Sequence, residues 1–200
     1  MKYSILKYFP VIEENGNTYC GGNQEWYGQE WQRKAGCASV CGANIATYYW
    51  KKENHHTDTF SKTDYIERMS QLYKYMKPGM RGFPDPYKFL SRFLKYQNSK
   101  GYICKGSIYH DWKSYLQAKQ YIIQSLKEEN PVALLILMHT APAMKENNWH
   151  WMTIVEYDDE NETFSISNLG KIETYKAEEV FEPLKGNQVW LVSFEQPQFM

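Results

Sequence analysis

Two cysteines stand four residues apart in the run GCASVCGANI, which occupies residues 36 to 45. Apolar and small residues recur there at helical spacing, so the run predicts a helix that begins at Cys37 and ends near residue 50. Thiolate is the nucleophilic form of cysteine, and the free N–H groups of a helix N-terminus favour it. We therefore predict that Cys37 is a nucleophile and that Cys41, one turn deeper on the same face, is more buried. The alternative is that both cysteines are small apolar residues packed on a helix.

A cysteine nucleophile needs an imidazole within hydrogen-bond reach, and that imidazole needs an acceptor to orient it. His150 opens the predicted strand HWMTIVEYD, and Asn168 closes the predicted strand TFSISNL just before the turn LGK. If the two strands pair as a hairpin, His150 and Asn168 lie near the same open end. The order and spacing predict that Cys37, His150 and Asn168 act together. His139 ends the run VALLILMH and is interpreted as a polar residue at a strand end.

Acyl transfer also needs donors for the oxyanion, a role that side-chain amides fill together with backbone N–H groups. Gln24 in GGNQEW and Gln32 in EWQRKAGC both precede Cys37, and both are candidates. Four tryptophans bracket these residues and either wall a cleft or brace the helix against the sheet. They are Trp26, Trp31, Trp149 and Trp151.

A metal site is the competing use of these residue types. Cys37, Cys41, His55 and His56 supply suitable ligand atoms, but C-x3-C followed by HH matches no strong zinc spacing. We interpret the two histidines, in KENHHTD, as part of a solvated loop. We predict no metal and no organic cofactor.

The remaining pattern predicts an α+β fold in which a helical first half is followed by an antiparallel sheet. Further helices are predicted within residues 63–76, 87–97 and 112–130, and strands within 101–110, 132–139, 150–158, 163–169 and 188–194. The first 35 residues are predicted to be irregular, with turns. Because no linker divides the chain, residues 1–200 are predicted to form a single domain.

Composition narrows the classes of partner. The chain has 23 Lys and Arg and 23 Asp and Glu, so its formal net charge is zero. This balance argues against nucleic acid as a partner, because phosphate binding needs an excess of positive charge. The longest apolar run, residues 132–138, is too short to span a bilayer, and the first 15 residues lack the pattern of a signal peptide. We expect a cytoplasmic protein with reduced cysteines; the sequence leaves its oligomeric state open.

The order of these residues resembles the papain-like cysteine peptidases, and within them the bacterial bacteriocin-leader (double-glycine) peptidases and their relatives. Gly36-Cys37 at a helix start is similar to the nucleophile run of those relatives. His150, with Tyr157 seven residues later, resembles the papain-type His and Gly-Tyr strand, and SISNLGK around Asn168 resembles the segment NSWG. The resemblance covers residues 22–45 and 131–171, and it holds for the rest only in outline.

This resemblance implies a papain-like fold and hydrolysis of a peptide or small amide substrate. It implies that Cys37 is the nucleophile, that His150 transfers protons and that Asn168 orients His150. It favours Gln24 over Gln32 as the oxyanion donor, because the run Gly-Asn-Gln-x-Trp is similar to the N-terminal segment of the relatives. The sequence departs from the family pattern in having Ala-Ser after Cys37 instead of Gly-Pro, and Glu in place of the glycine before Tyr. Two alternatives remain, namely an acyltransferase or amidase with the same triad, and a catalytically silent binding domain.

Overall fold

Helices occupy most of the region between residues 30 and 127, and strands most of the region after it. The computed structural model describes residues 1–199 and confirms the α+β class. The α-helices are α1 (Glu30–Ala35), α2 (Cys37–Glu53), α3 (Lys62–Tyr75), α4 (Pro86–Ser99), α5 (Tyr115–Lys127) and α6 (Ala177–Phe181). Short 3-10 helices lie at Gln24–Trp26 and Pro142–Asn147.

The strands form one large sheet and two small ones. They are β1 (Lys2–Ser4), β2 (Val11–Glu14), β3 (Asn17–Cys20), β4 (Phe60–Ser61), β5 (Tyr102–Ile103), β6 (Gly106–Tyr109), β7 (Val132–Met138), β8 (His150–Asp158), β9 (Thr163–Asn168), β10 (Lys171–Lys176), β11 (Gln188–Phe194) and β12 (Gln198–Phe199). The large sheet has the order β10-β9-β8-β7-β11-β6, with β1 also paired to β8, and all of its pairings are antiparallel.

Helix α2 lies at the centre of the molecule, because residues 37–49 are all buried. It packs against β8 on one side and against α3 on the other. Small residues let these elements approach closely: a Cβ atom at Gly42 would lie 3.1 Å from the Met76 side chain. The first half of the chain thus places one helix against the middle of the sheet formed by the second half.

The ends of the helices behind α2 are set by local sequence signals. Ser61 caps α3 by accepting a hydrogen bond from the Asp64 N–H. Asp85 caps α4 by accepting from the Lys88 N–H, and Pro86 follows as the first helical residue. Both arrangements satisfy N–H groups that have no partner within the helix.

The prediction of an irregular N-terminal region was wrong in part. Strands β2 and β3 form a hairpin whose turn is Asn15-Gly16, and both turn residues have positive φ, 50° and 77°. An Asn-Gly pair between two strand-forming runs is a strong hairpin signal, and here it is present in the sequence as VIEENGNTYC. Helix α1 was also missed. The predicted strand in residues 101–110 is instead two short strands, β5 and β6, that belong to different sheets.

No helix within residues 1–199 combines the length and the apolar character needed to cross a bilayer.

Candidate active site

Cys37 is the first residue of α2, as the sequence predicts, and only 7 % of its surface is exposed. The helix has no side-chain N-cap at this end, so its first N–H groups are free to act on the sulfur. Gly36 precedes it with φ −86°, a value that any residue adopts. Glycine is needed here for space instead, because a Cβ atom would lie 2.4 Å from the Gln32 carbonyl oxygen and 2.7 Å from the Tyr27 ring.

His150 and Asn168 meet at the open end of the β8–β9 hairpin, which confirms the predicted geometry. The distance from His150 Nε2 to Asn168 Oδ1 is 2.8 Å. An amide oxygen only accepts hydrogen bonds, so Nε2 carries the proton and Nδ1 is left for the thiol of Cys37. Leu169 and Gly170, both with positive φ, form the tight turn that ends β9 directly after Asn168.

Cys37 and His150 interact across the contact between α2 and β8. Burial by itself raises the pKa of the Cys37 thiol, but the adjacent imidazole of His150 and its positive charge act against burial. The backbone N–H groups of Trp151 and Ala38 act in the same direction, and the pKa of Cys37 lies below its ordinary value. Burial lowers the pKa of His150, but Cys37, Asn168 and the charge of Glu173 together raise it above its ordinary value. Each charged form stabilises the other, which favours a thiolate–imidazolium pair.

Gln24 lies beside this pair. It lines a small recess of about 10 Å³ together with Cys37 and His150, which is roughly the space of one oxygen atom. Gln24 Oε1 is buried and has no hydrogen-bond partner within residues 1–199. A buried amide atom without a partner is uncommon and calls for an explanation. An amide with no internal partner is free to turn its Nε2 toward a ligand atom in the recess.

The loop that carries Gln24 is fixed by contacts with both halves of the molecule. The Gly22 N–H donates to Asn44 Oδ1 on α2 at 2.9 Å. Ser167 Oγ on β9 donates to the Cys20 carbonyl oxygen at 2.7 Å. Gln32 belongs to α1 and is not among the residues that line the recess. Of the two glutamines that the sequence left open, Gln24 is therefore the one placed beside Cys37.

Cys41 has a different environment from Cys37. It is 1 % exposed, its thiol donates to the Met152 carbonyl oxygen at 3.2 Å, and it lies 3.4 Å from Thr153 Oγ1. Burial raises its pKa to about 12. Burial also raises the pKa of Cys20 to about 11 and that of Cys104 to about 12. All of the cysteines are free, and only Cys37 has a lowered pKa.

A cleft of about 550 Å³, lined mainly by apolar residues, opens onto Cys37. Trp31 and Trp149 line it and are 44 % and 55 % exposed, while Trp151 lines its inner end and is buried. Trp149 has a positive φ of 59°, an uncommon conformation for a bulky residue. Trp26 lies edge-on to Tyr19, outside the cleft lining. Thus three of the four tryptophans line the cleft, and Trp151 also braces the core by stacking on Phe89.

Three other cavities are larger and have no cysteine in their lining. One, of about 660 Å³, lies among α2, α3 and α4, another, of about 730 Å³, lies around Trp190, and the third, of about 630 Å³, is lined by Trp31 and residues 78–80. Cavity volume alone therefore does not single out the site of Cys37, His150 and Asn168. Within residues 1–199, no cluster of three or more Cys, His, Asp or Glu side chains is arranged to hold a metal ion. His56 packs against the Trp50 ring and not against the cysteines.

Sequence reasoning missed three residues behind Asn168. Asn168 Nδ2 donates to Asn147 Oδ1 at 3.1 Å and to the two oxygens of Glu173 at 3.3 and 3.2 Å. The Tyr175 hydroxyl donates to Glu173 Oε2 at 2.7 Å. Side chains alternate along a strand, so a strand starting directly after the turn puts residues 171, 173 and 175 on the face of Asn168. That signal was present in KIETYK but the strand was not predicted.

No protein-family model and no curated protein sequence matches this chain.

Proposed function

We propose that the protein is a papain-like thiol hydrolase, with Cys37, His150 and Asn168 as its triad and a peptide or small amide as its substrate. The observation that carries this proposal is the placement of Cys37 at the N-terminus of α2, in the same recess as an imidazole whose Nε2 is held by Asn168. Of the cysteines, only this one combines a helix N-terminus with an adjacent imidazole.

In the first step, the Cys37 thiolate attacks the carbonyl carbon of the scissile bond and forms an S–C bond. The carbonyl oxygen takes the electron pair and enters the recess, where the Cys37 backbone N–H and the Gln24 amide act as donors. The S–C bond is kept while the C–N bond breaks, and the imidazolium of His150 gives its proton to the leaving amine.

In the second step, water attacks the thioester carbon and His150 accepts a proton from it. The S–C bond then breaks, a carboxylic acid leaves, and the thiolate–imidazolium pair is restored. Asn168 keeps its Oδ1 on Nε2 through both steps, so that Nδ1 stays directed at the sulfur and the reacting atoms. No metal takes part in these steps.

The apolar cleft supports a substrate with a large apolar residue next to the scissile bond. Its lining combines exposed Trp149, Trp31 and Met80 with Phe83, and it also contains Lys34 and Arg81. Its volume lies in the range of about 300–1,000 Å³ that is typical of ligand pockets. An apolar residue in this cleft would place the neighbouring carbonyl beside Cys37.

The test is to follow hydrolysis of a panel of fluorogenic peptide amides with apolar residues before the scissile bond. We expect turnover by the wild-type protein and a loss of at least about a thousandfold in Cys37→Ala. Cys104→Ala is the control and should retain activity. Turnover that Cys37→Ala leaves intact would refute the proposal.

The runner-up reaction uses the same triad to transfer the acyl group to an amine. Hydrolysis and acyl transfer are distinguished by supplying an activated ester as acyl donor, with and without added glycinamide. A hydrolase releases the acid at the same rate in both cases, whereas an acyltransferase needs the amine and forms the amide. A catalytically silent binding domain would show neither product, and its Cys37 would react with iodoacetamide no faster than an ordinary thiol.

A further inference from the structure

The side of Asn168 that faces away from His150 is occupied by a carboxylate. Glu173 lies on β10, partly buried, with both carboxylate oxygens within hydrogen-bond distance of Asn168 Nδ2. Its Oε2 also accepts the Tyr175 hydroxyl proton. Burial, followed by the hydrogen bond to Glu173, raises the pKa of Tyr175 to about 12, so this hydroxyl keeps its proton.

The contacts of Asn168 leave its amide only one orientation. An ionised carboxylate only accepts hydrogen bonds, and Asn147 Oδ1 also accepts, so the –NH2 end of Asn168 must face Glu173 and Asn147. Both hydrogens of Nδ2 are then used, and Oδ1 is directed at His150. Without these two acceptors, rotating the amide by half a turn would present –NH2 to Nε2 and reverse the tautomer of His150.

We propose that Glu173 is a positioning residue that acts through Asn168: it fixes the amide and supports the positive charge of His150. This inference rests on the proposed function, since it assumes that the Cys37–His150 pair is the reactive unit. The side chains thus form a hydrogen-bonded series. It begins at the negative carboxylate of Glu173, passes through the neutral amide of Asn168 and ends at the ion pair of His150 and Cys37. Hydrogen bonds in such a series polarise one another at low local dielectric.

The charged and titratable groups around the pair come from three neighbouring elements. Cys37 faces His150 from α2, and Glu173 and Tyr175 lie behind Asn168 on β10. The charge of Glu146, in the 3-10 helix Pro142–Asn147, acts on Tyr175. Glu173 is therefore the only carboxylate among these groups that contacts Asn168 directly.

The experiment measures Cys37 alkylation by iodoacetamide between pH 5 and 9 in the full-length protein. Glu173→Gln keeps the shape of the side chain and removes its charge. We expect the acid limb of the profile to move up by about half a pH unit, equal to about threefold slower alkylation at a fixed pH on that limb. Glu173→Asp should retain most of the wild-type profile. Glu178→Gln removes an exposed carboxylate on α6 and should change nothing.

A second measurement separates positioning from a structural role. NMR titration of His150 in the Cys37→Ala background reports the imidazole without the thiolate. Glu173→Gln should lower its midpoint there, and should do so much less when Asn168→Ala is also present. Glu173→Ala, which removes the carboxylate altogether, should shift the midpoint in the same direction and serves if Glu173→Gln does not fold.

The outcomes distinguish this inference from the proposed function. If His150→Ala changes the alkylation profile but Glu173→Gln changes neither the profile nor the titration, Glu173 has no positioning role and the triad stands. If His150→Ala itself leaves the profile unchanged, the reactive pair does not exist, and the proposed function fails together with this inference.

Discussion

Cys37 and Cys41 lie one helical turn apart on α2 and face the same strand, yet their surroundings shift the two thiols in opposite directions. At the helix N-terminus, Cys37 meets His150 and two backbone N–H groups, and its pKa is lowered. One turn further in, Cys41 meets a carbonyl oxygen and a hydroxyl, and its pKa is raised to about 12.

The two thiols are almost equally buried, so burial does not explain the difference. Burial opposes the thiolate at both positions and is the largest single effect at each. What differs is the partner that β8 provides. Its first residue, His150, supplies a positive charge, whereas Met152 and Thr153 supply neutral groups. The pKa of a thiol at this interface is therefore set by the β8 residue that it faces.

Of the substitutions considered, His150→Ala should change the reactivity of Cys37 most and should remove its difference from Cys41. Removing the imidazole leaves burial uncompensated, so Cys37 should become like Cys41. Each unit by which its pKa rises slows alkylation about tenfold on the acid limb, so a rise toward the value of about 12 of buried Cys41 should slow alkylation at pH 6 by about a hundredfold or more. The sign follows from the shift: a lowered pKa keeps the thiolate at acid pH, and its loss moves the profile to higher pH.

The measurement is the alkylation rate against pH, with peptide mapping of the modified site and circular dichroism to check folding. His55→Ala, at an exposed histidine, is the matched control. An unchanged profile in folded His150→Ala would mean that Cys37 and Cys41 are the same kind of packed thiol.

A smaller effect is expected from Asn168→Ala. This change removes the acceptor at His150 Nε2 but leaves the imidazole and its charge in place. Alkylation of Cys37 at pH 6 should fall by about three- to tenfold, and the midpoint should move upward by less than in His150→Ala. Asn98→Ala, on the exposed side of α4, controls for the loss of an amide. A fall as large as that in His150→Ala would show that Asn168 holds the hairpin end itself together.

The sequence was enough to predict the parts of the site that local patterns encode. Cys37 opens a helix whose face is regular, and His150 and Asn168 mark the ends of two strands joined by a short turn. Both signals depend on neighbours within a few residues along the chain. The α+β class follows from the same local patterns, because they predict helices in the first half of the chain and strands in the second.

Other parts depend on contacts between distant segments. The choice between Gln24 and Gln32 depends on the tie between the Gly22 N–H and Asn44, 22 residues apart in sequence. The need for glycine at position 36 comes in part from the Tyr27 ring, which no local pattern places there. Glu173 and Asn147 reach Asn168 from a strand and a 3-10 helix, and that meeting requires the register of the whole hairpin. The sequence was enough to propose Cys37, His150 and Asn168 as a group, whereas the residues behind Asn168 required the structure.

The smallest effect on Cys37 reactivity is expected from substitutions at Cys41. Cys41→Ala removes a buried sulfur and a hydrogen bond to Met152, so the free energy of unfolding should fall by about 1–2 kcal/mol. Cys41→Ser keeps a donor of similar size and separates the lost bond from the lost volume. In both variants the alkylation profile of Cys37 should stay within about twofold of wild type, since the two thiols are coupled only weakly, through their charges.

Urea unfolding and alkylation are measured on the same preparations, with Cys104→Ala as the control. Modification of Cys41 before Cys37 in the wild-type protein, or loss of Cys37 alkylation in folded Cys41→Ala, would reverse the comparison and assign the reactive thiol to the inner position on α2.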